Sequence, residues 1–304
     1  MKRCILGLAL SALAIGPALA GTPTGTYPNG VEGLGAASLP PPGIYWRNYE
    51  VFYGSNQLRS MTGATEPVGL GLGMTATINR VIWISPYKVL GGNFGCDVVI
   101  PVVNTTLHTA TPASNSTDFG LYDILFGPAI LAWHGKNYDS AAAMCFFAPT
   151  GRYRPSDPTS TGKGCWTLIP TAGYTYYFDQ HRSLSVSVLG RYEWHTQNSA
   201  KVTTGENLDL EWGVGKQIGT HSKKTDAVWD VGVAGYYTLQ TTDDTGSGVT
   251  WDRSQHNQAV AIGPEAKVMF HGIGTIFSLR TEWEFDCLGR TQGTFTTLTT
   301  TKMF

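Results

Sequence analysis

The chain has 304 residues, of which 42% are hydrophobic, 12% aromatic and only 14% charged, with 37 glycines and a formal net charge of −1. An average soluble domain carries about 25% charged residues. So little charge, with no basic excess, excludes a phosphate-neutralising nucleic-acid binder, and the aromatic content excludes a disordered chain. A mean hydropathy of −0.09 also excludes a bundle of apolar helices.

The N-terminus reads as an export signal. Lys2 and Arg3 precede an apolar run from Ile5 to Ile15, and Ala18-Leu19-Ala20 supplies an A-x-A cleavage site. Residues 1–20 are therefore expected to be a signal peptide, cut after Ala20. The run is too short for a helix that must cross ~30 Å of hydrocarbon. Residues 21–43 are rich in Gly and Pro and end in Leu39-Pro40-Pro41-Pro42-Gly43. They are expected to form an extended segment, either a plug in the lumen or a periplasmic tail.

From Ile44 onward, strand-like stretches fill the chain. They are predicted at 44–53, 70–84, 87–106, 119–134, 138–149, 164–178, 182–196, 205–218, 226–240, 258–271, 274–287 and 293–304. The signal is alternation with a period of 2. Leu208, Leu210, Trp212 and Val214 alternate with Asp209, Glu211, Gly213 and Gly215. Phe277, Leu279, Thr281, Trp283 and Phe285 alternate with Ser278, Arg280, Glu282 and Glu284. The facing of the first two strands is ambiguous. Short connections, such as Ser85-Pro86, Gly135-Lys136-Asn137 and 219–225, alternate with long ones such as 150–163 and 241–257.

Outer-membrane barrels have an even strand number, short periplasmic turns and long outer loops. With no apolar run of membrane-spanning length after the leader, a closed barrel is the one way for this chain to cross a bilayer. The expected fold is all-β, a transmembrane antiparallel β-barrel of about 12 strands over 44–304, preceded by the extended segment. A soluble sandwich would share the alternation; the loop rhythm and scarce charge favour the membrane. The expected location is the bacterial outer membrane. The expected partners are its lipid, the barrel assembly machinery and a small hydrophobic solute, with no nucleic acid. The terminal Phe304 fits an assembly signal.

Four stretches resemble, in order, a family of bacterial outer-membrane transporters named for the meta pathway of phenol degradation. They are Glu32-Gly33-Leu34-Gly35-Ala36-Ala37-Ser38-Leu39-Pro40-Pro41-Pro42-Gly43, Ala148-Pro149-Thr150-Gly151-Arg152-Tyr153, Cys165-Trp166-Thr167-Leu168-Ile169-Pro170 and Thr204-Gly205-Glu206-Asn207-Leu208-Asp209-Leu210-Glu211-Trp212. The family more often carries an acidic or polar residue at the position of Arg152. The resemblance implies an outer-membrane barrel associated with aromatic catabolism and implies no catalytic residue.

The alternation turns a set of charges inward: Arg191, Glu193, Asp209, Glu211, Asp230, Glu265, Lys267, Arg280, Glu282 and Glu284. They are expected to pair across the lumen, beside small and apolar lining residues Leu125, Ala141, Ala143, Gly213, Gly232 and Ala234. Cys145 and Cys165 flank the loop 150–163, and a disulfide between them is expected, the alternative being two free thiols. No C-x-x-C and no H-x-x-x-H occurs, so neither a metal nor another cofactor is expected. His181-Arg182-Ser183 is the nearest approach to a nucleophile pair, and it falls in a predicted periplasmic turn; an enzyme is not expected. The functional expectation is a passive channel for small hydrophobic, aromatic compounds. The alternative is a non-transporting surface barrel that binds through its loops, for example Asp243, Asp244, Trp251 and Asp252.

Overall fold

The computed structural model describes residues 24–218 and 227–304. The signal peptide over 1–20 and the connection 219–225 lie outside the described residues. The strands are β1 (Gly43–Leu58), β2 (Gly71–Val89), β3 (Gly92–Ala110), β4 (Ala113–Leu121), β5 (Ile124–His134), β6 (Tyr138–Ala148) and β7 (Thr167–Tyr177). They continue with β8 (Leu184–His195), β9 (Asn207–Ile218), β10 (Ala227–Gln240), β11 (Gln258–Phe270), β12 (Thr275–Leu288) and β13 (Thr291–Met303). Every pairing is antiparallel. β13 returns to pair with β1, and β3 pairs with β2, so twelve strands close into a barrel and β4 is one extra strand. Closure leaves the twelve-strand ladder without an open edge, so its N–H and C=O groups need no water, which a bilayer demands.

Several boundaries differ from the sequence expectation: the stretch 107–118, expected as a connection, is occupied by the end of β3 and most of β4, and two further differences have a local reason. The predicted turn at Ser85-Pro86 lies inside β2, which reverses instead at Leu90-Gly91, where φ is 52° and 80°. Two successive positive φ values give a hairpin turn that matches strand twist, and glycine takes one of them without cost. Pro86, which has no N–H to donate, sits where the β2–β3 register slips between Ile84 and Lys88. The predicted strand 119–134 is in fact two strands. β3 spends its first half on β5 and its second half on β4, from Val102↔Leu121 to Ala110↔Ala113. The chain leaves the ladder at Asp123, whose carboxylate accepts the N–H of Gly151 at 2.9 Å and of Lys163 at 2.8 Å and so ties down the long loop before β7.

The outer wall carries two belts of aromatics. Trp166, Trp194, Trp283 and Phe285 sit toward the long-loop end, and Trp83, Tyr176, Phe178 and Trp229 toward the short-turn end, all exposed. Such girdles mark the two lipid interfaces. Among the described residues no helix is long and apolar enough to cross a membrane.

The turn 178–183 is held by one carboxylate. Asp179 accepts the N–H groups of Ser183 (3.0 Å), Leu184 (2.8 Å) and His181 (2.8 Å) and the Ser183 hydroxyl (2.9 Å). These donors, Ser183 foremost, pull its pKa down to about 2.

Two outcomes are expected. Val188→Arg, on the lipid face between the belts, should destabilise the barrel by about 2–4 kcal/mol in a denaturant titration in bilayers, since the guanidinium must leave water. A depressed folded pKa means that the Asp179 contribution is present above the unfolded value near 4 and lost as pH falls through about 2. The protection of the Ser183 and Leu184 amides relative to their intrinsic exchange rates should therefore hold down to that range in the native protein and be lost in Asp179→Ala.

Candidate functional site

The period of 2 carries most of the expected charges to the inside, where they meet. Arg191 Nη1 lies 2.5 Å from Glu211 Oε2, and Arg280 lies 3.1 Å from Glu265 and 3.3 Å from Glu282. Lys267 is 3.6 Å from Glu265 and directly opposite Asp230 in the β10–β11 register. Glu284 belongs to a separate group: it accepts the hydroxyls of Tyr53 and Tyr236, each at 2.8 Å, and faces Arg290 at 3.6 Å. Phe304 is far from all of these, 80% exposed, with its N–H on the Ile44 carbonyl at 3.2 Å.

Buried charges are costly unless they are both paired and hydrogen-bonded. Here the extra hydrogen bonds come from the Gly/Pro-rich segment before β1. Such a segment builds no strand ladder, yet its N–H groups need acceptors. Glu193 takes the N–H of Thr26 (2.6 Å) and of Tyr27 (3.1 Å). Glu211 Oε1 takes those of Gly30 and Glu32, both at 2.9 Å. Glu265 takes that of Leu34 at 2.8 Å. Asn29 donates to Asp209 at 2.9 Å. In return, Arg280 donates to the Gly30 carbonyl and Lys267 to the Leu34 carbonyl. Gly30 makes the bend at φ 85°, a region closed to most residues.

Close approach of the two backbones needs bare glycine on the strands. A Cβ on Gly213 would come within 2.8 Å of Gly33 and Leu34 backbone atoms, and one on Gly215 or Gly232 would meet the Leu34 side chain. Gly213, Gly232 and Ala234, expected to line a solute path, instead receive this segment.

Sequence reading missed a second cluster. Glu32, on the segment, bridges Arg47 (3.0 Å) and Arg80 (3.4 Å), and Arg80 continues to Asp97 at 2.6 Å. Tyr49 also donates to Glu32, at 2.9 Å. The signal was weak because β1 carries polar residues on both faces: Arg47 and Tyr49 point in, Asn48 and Glu50 point out.

Around this cluster the lumen is largely apolar. Tyr49, Val51, Ala76, Ile78, Val103 and Phe295 form one buried group with Val31 of the segment. Leu125, Cys145, Phe147 and Ile169 form another, and Tyr27 of the segment packs against both. An internal cavity of about 810 Å³ runs along this side, past Ala141 and Ala143. Its lining extends from Tyr45 and Met303 at one end of the strands to Leu58 and Leu107 at the other.

Cys145 and Cys165 do not form the expected disulfide; both are buried free thiols. The register explains it. Cys145 faces Ile169 across β6–β7, four positions from Cys165, a displacement of roughly 13 Å at ~3.3 Å per residue. A disulfide needs Cα atoms within about 7 Å. In the turn before β8, Ser183 is hydrogen-bonded to Asp179.

Comparison with known proteins agrees with this architecture. Residues 55–299 match the family model described as "Putative MetA-pathway of phenol degradation". The chain belongs to this family. Its fold is that of an outer membrane channel from Pseudomonas putida F1, at TM-score 0.76 and 13% identity over 88% of this chain and 97% of that one. The beta domain of the Bordetella autotransporter BrkA is similar at TM-score 0.52 and 11% identity, over 87% and 100% of the two chains. The transport unit of the autotransporter AIDA-I from Escherichia coli is also similar, at TM-score 0.52 and 10% identity, over 86% and 90%. No curated protein is matched by sequence. The family and the barrel place the protein in the bacterial outer membrane.

Glu211→Ala should detach the segment. It leaves Arg191 buried without its partner, a loss of about 3–5 kcal/mol, and strips the acceptor from Gly30 and Glu32. Gly213→Val should do the same by occupying the space of Gly33. Limited proteolysis is expected to cut within 24–42 in both variants and to spare the native protein.

Proposed function

We propose that this barrel is a passive channel for small, uncharged hydrophobic molecules, monoaromatic compounds among them. The observation that carries this reading is the cavity, lined mainly by apolar side chains of β1–β3 and β5–β7 around the Glu32–Arg47–Arg80–Asp97 cluster and reaching both ends of the strands. An uncharged ring sliding past Val51, Ile78, Val103 and Leu125 meets dispersion contacts and gives up little hydration. An ion gains little on this route, because Glu32, Arg47, Arg80 and Asp97 beside the cavity are paired with one another and the carboxylates of β8–β12 are engaged by the segment. The segment is thus the partition that makes the path apolar. It presents its backbone to the carboxylates and Tyr27 and Val31 to the cavity.

The alternative reading, a surface barrel that binds through loops 150–163 and 241–257, draws less support. Asp244 accepts from Trp251 (2.7 Å) and from the Gly205 N–H (2.8 Å), Asp243 contacts His256, and Asp252 contacts Ser254. These carboxylates tie the loops together rather than stand ready for a partner.

Uptake of radiolabelled toluene by cells that express the barrel tests the channel. Native protein should raise the rate several-fold over cells without it; Ile78→Asp with Val103→Asp should return it to background at equal barrel content. Removal of residues 24–42 should admit hydrophilic sugars in a liposome-swelling assay. Unchanged toluene uptake on expression would sink the channel, and unchanged sugar permeation on deletion would sink the partition.

A further inference from the structure

Most of the lipid-facing wall is apolar, with Val186, Val188, Leu210, Trp212, Val214, Val231 and Val233 outward on β8–β10. The wall made by β13, β1, β2 and the outer half of β3 is different. In register across these strands, the outward residues run Thr300–Asn48–Asn79–Ile100, then Leu298–Glu50–Thr77–Val102, then Thr296–Phe52–Thr75–Asn104, then Thr294–Gly54–Gly73–Thr106, polar except at Ile100, Val102, Leu298, Phe52 and the two glycines. Glu50 is a carboxylate in the middle of a membrane strand, pointing away from the lumen. It lies four residues from Trp46 toward the short-turn belt, and the row through Gly54 reaches Trp283 of the opposite belt by way of Thr294. Hydrocarbon offers such groups no hydrogen bond, so a polar lipid-facing stripe at this depth marks a surface that another polar surface covers.

The details fit a second copy of the same wall. Thr77 donates to Glu50 Oε2 at 2.7 Å, which leaves Oε1 to accept from outside. Trp46 Nε1 donates to Asn79 Oδ1 at 3.0 Å, which fixes that amide with its NH2 available to donate. Acceptor and donor therefore sit on neighbouring strands of one patch, the arrangement an isologous two-fold contact needs. Shape agrees. Phe52 stands 49% exposed beside a recess bounded by Gly54, Gly73, Thr294 and Thr106. A Cβ on Gly54 would meet nothing within 4 Å. A knob beside its own socket is self-complementary under a two-fold axis along the membrane normal.

We infer that the β13–β1–β2–β3 wall is a homodimer interface within the outer membrane, with Phe52 of each copy seated in the Gly54–Gly73 recess of the other and Asn79 donating to the opposing Glu50. The interface lies outside the lumen and is independent of what the lumen carries.

Site-specific photocrosslinking in intact outer membranes tests this. A benzoylphenylalanine in place of Phe52 should give a covalent band at twice the monomer mass, mapped by mass spectrometry to the stretch around Gly73 or Thr294. The same probe at position 188, on the opposite wall, should give none. Glu50→Leu combined with Asn79→Leu should cut the dimer at least fivefold while the barrel remains folded by heat-modifiability. Crosslinks only to lipid, crosslinks to a different protein, or equal dimer yield from position 188 would each overturn the proposal, as would a monomeric mass for the native protein in nanodiscs.

Discussion

Residues 26–34 hang on carboxylates. Their backbone joins no strand, and inside the barrel Glu193, Glu211 and Glu265 stand where water or a neighbouring strand would otherwise accept the N–H groups. The exchange works in both directions. The segment would be an unsatisfied backbone without the carboxylates, and the carboxylates would crowd one another without the segment and the arginines between them. Arg191 and Arg280 complete the balance, each meeting a carboxylate of the wall, and Arg280 reaches the segment through the Gly30 carbonyl.

This single attachment organises the lumen. With the segment's backbone fastened to β8–β12, and its Glu32 reaching Arg47 and Arg80, the rest of the opposite half keeps its valines, isoleucines and tyrosines facing free space, and the cavity follows that half. The glycines of β9 and β10 belong to the same arrangement, because only a bare Cα lets Gly33 and Leu34 come so near. Polarity on the outer wall is divided just as sharply. One sector is valine, leucine and tryptophan; the other, next to the closing seam of β13 and β1, carries threonine, asparagine and Glu50 around Phe52 and Leu298.

Much of the barrel could be read in the sequence, for a physical reason. A strand between lipid and lumen must alternate, so Leu208 to Gly215 and Phe277 to Phe285 announce both their conformation and their facing. The reading weakened where that contrast fails. On β1 and β2 both faces carry polar side chains, so Arg47 and Arg80 were not recognised as lumen residues, and neither was the Glu32 that joins them. The strand predicted over 119–134 hid a break at Asp123, because a side chain that caps a distant loop leaves no mark on local periodicity. The cysteines were misjudged because flanking one loop says nothing of vertical register, and four positions of offset keep Cys145 and Cys165 apart.

By itself, the sequence determined a membrane barrel through its two-residue alternation and the short–long rhythm of its connections, supported by the scarcity of charge at 14%, and alternation determined which carboxylates turn inward. Those are local consequences of a two-residue repeat set between two solvents. What only the tertiary structure decided is what the inward charges are for. Glu211 and Gly30 are 181 residues apart in the chain, and no period links them. They meet because barrel closure brings β9 around to the lumen where the N-terminal segment lies. There the inward charges acquire their sense: Glu193, Glu211, Glu265 and Arg280 hold one strip of backbone inside the barrel.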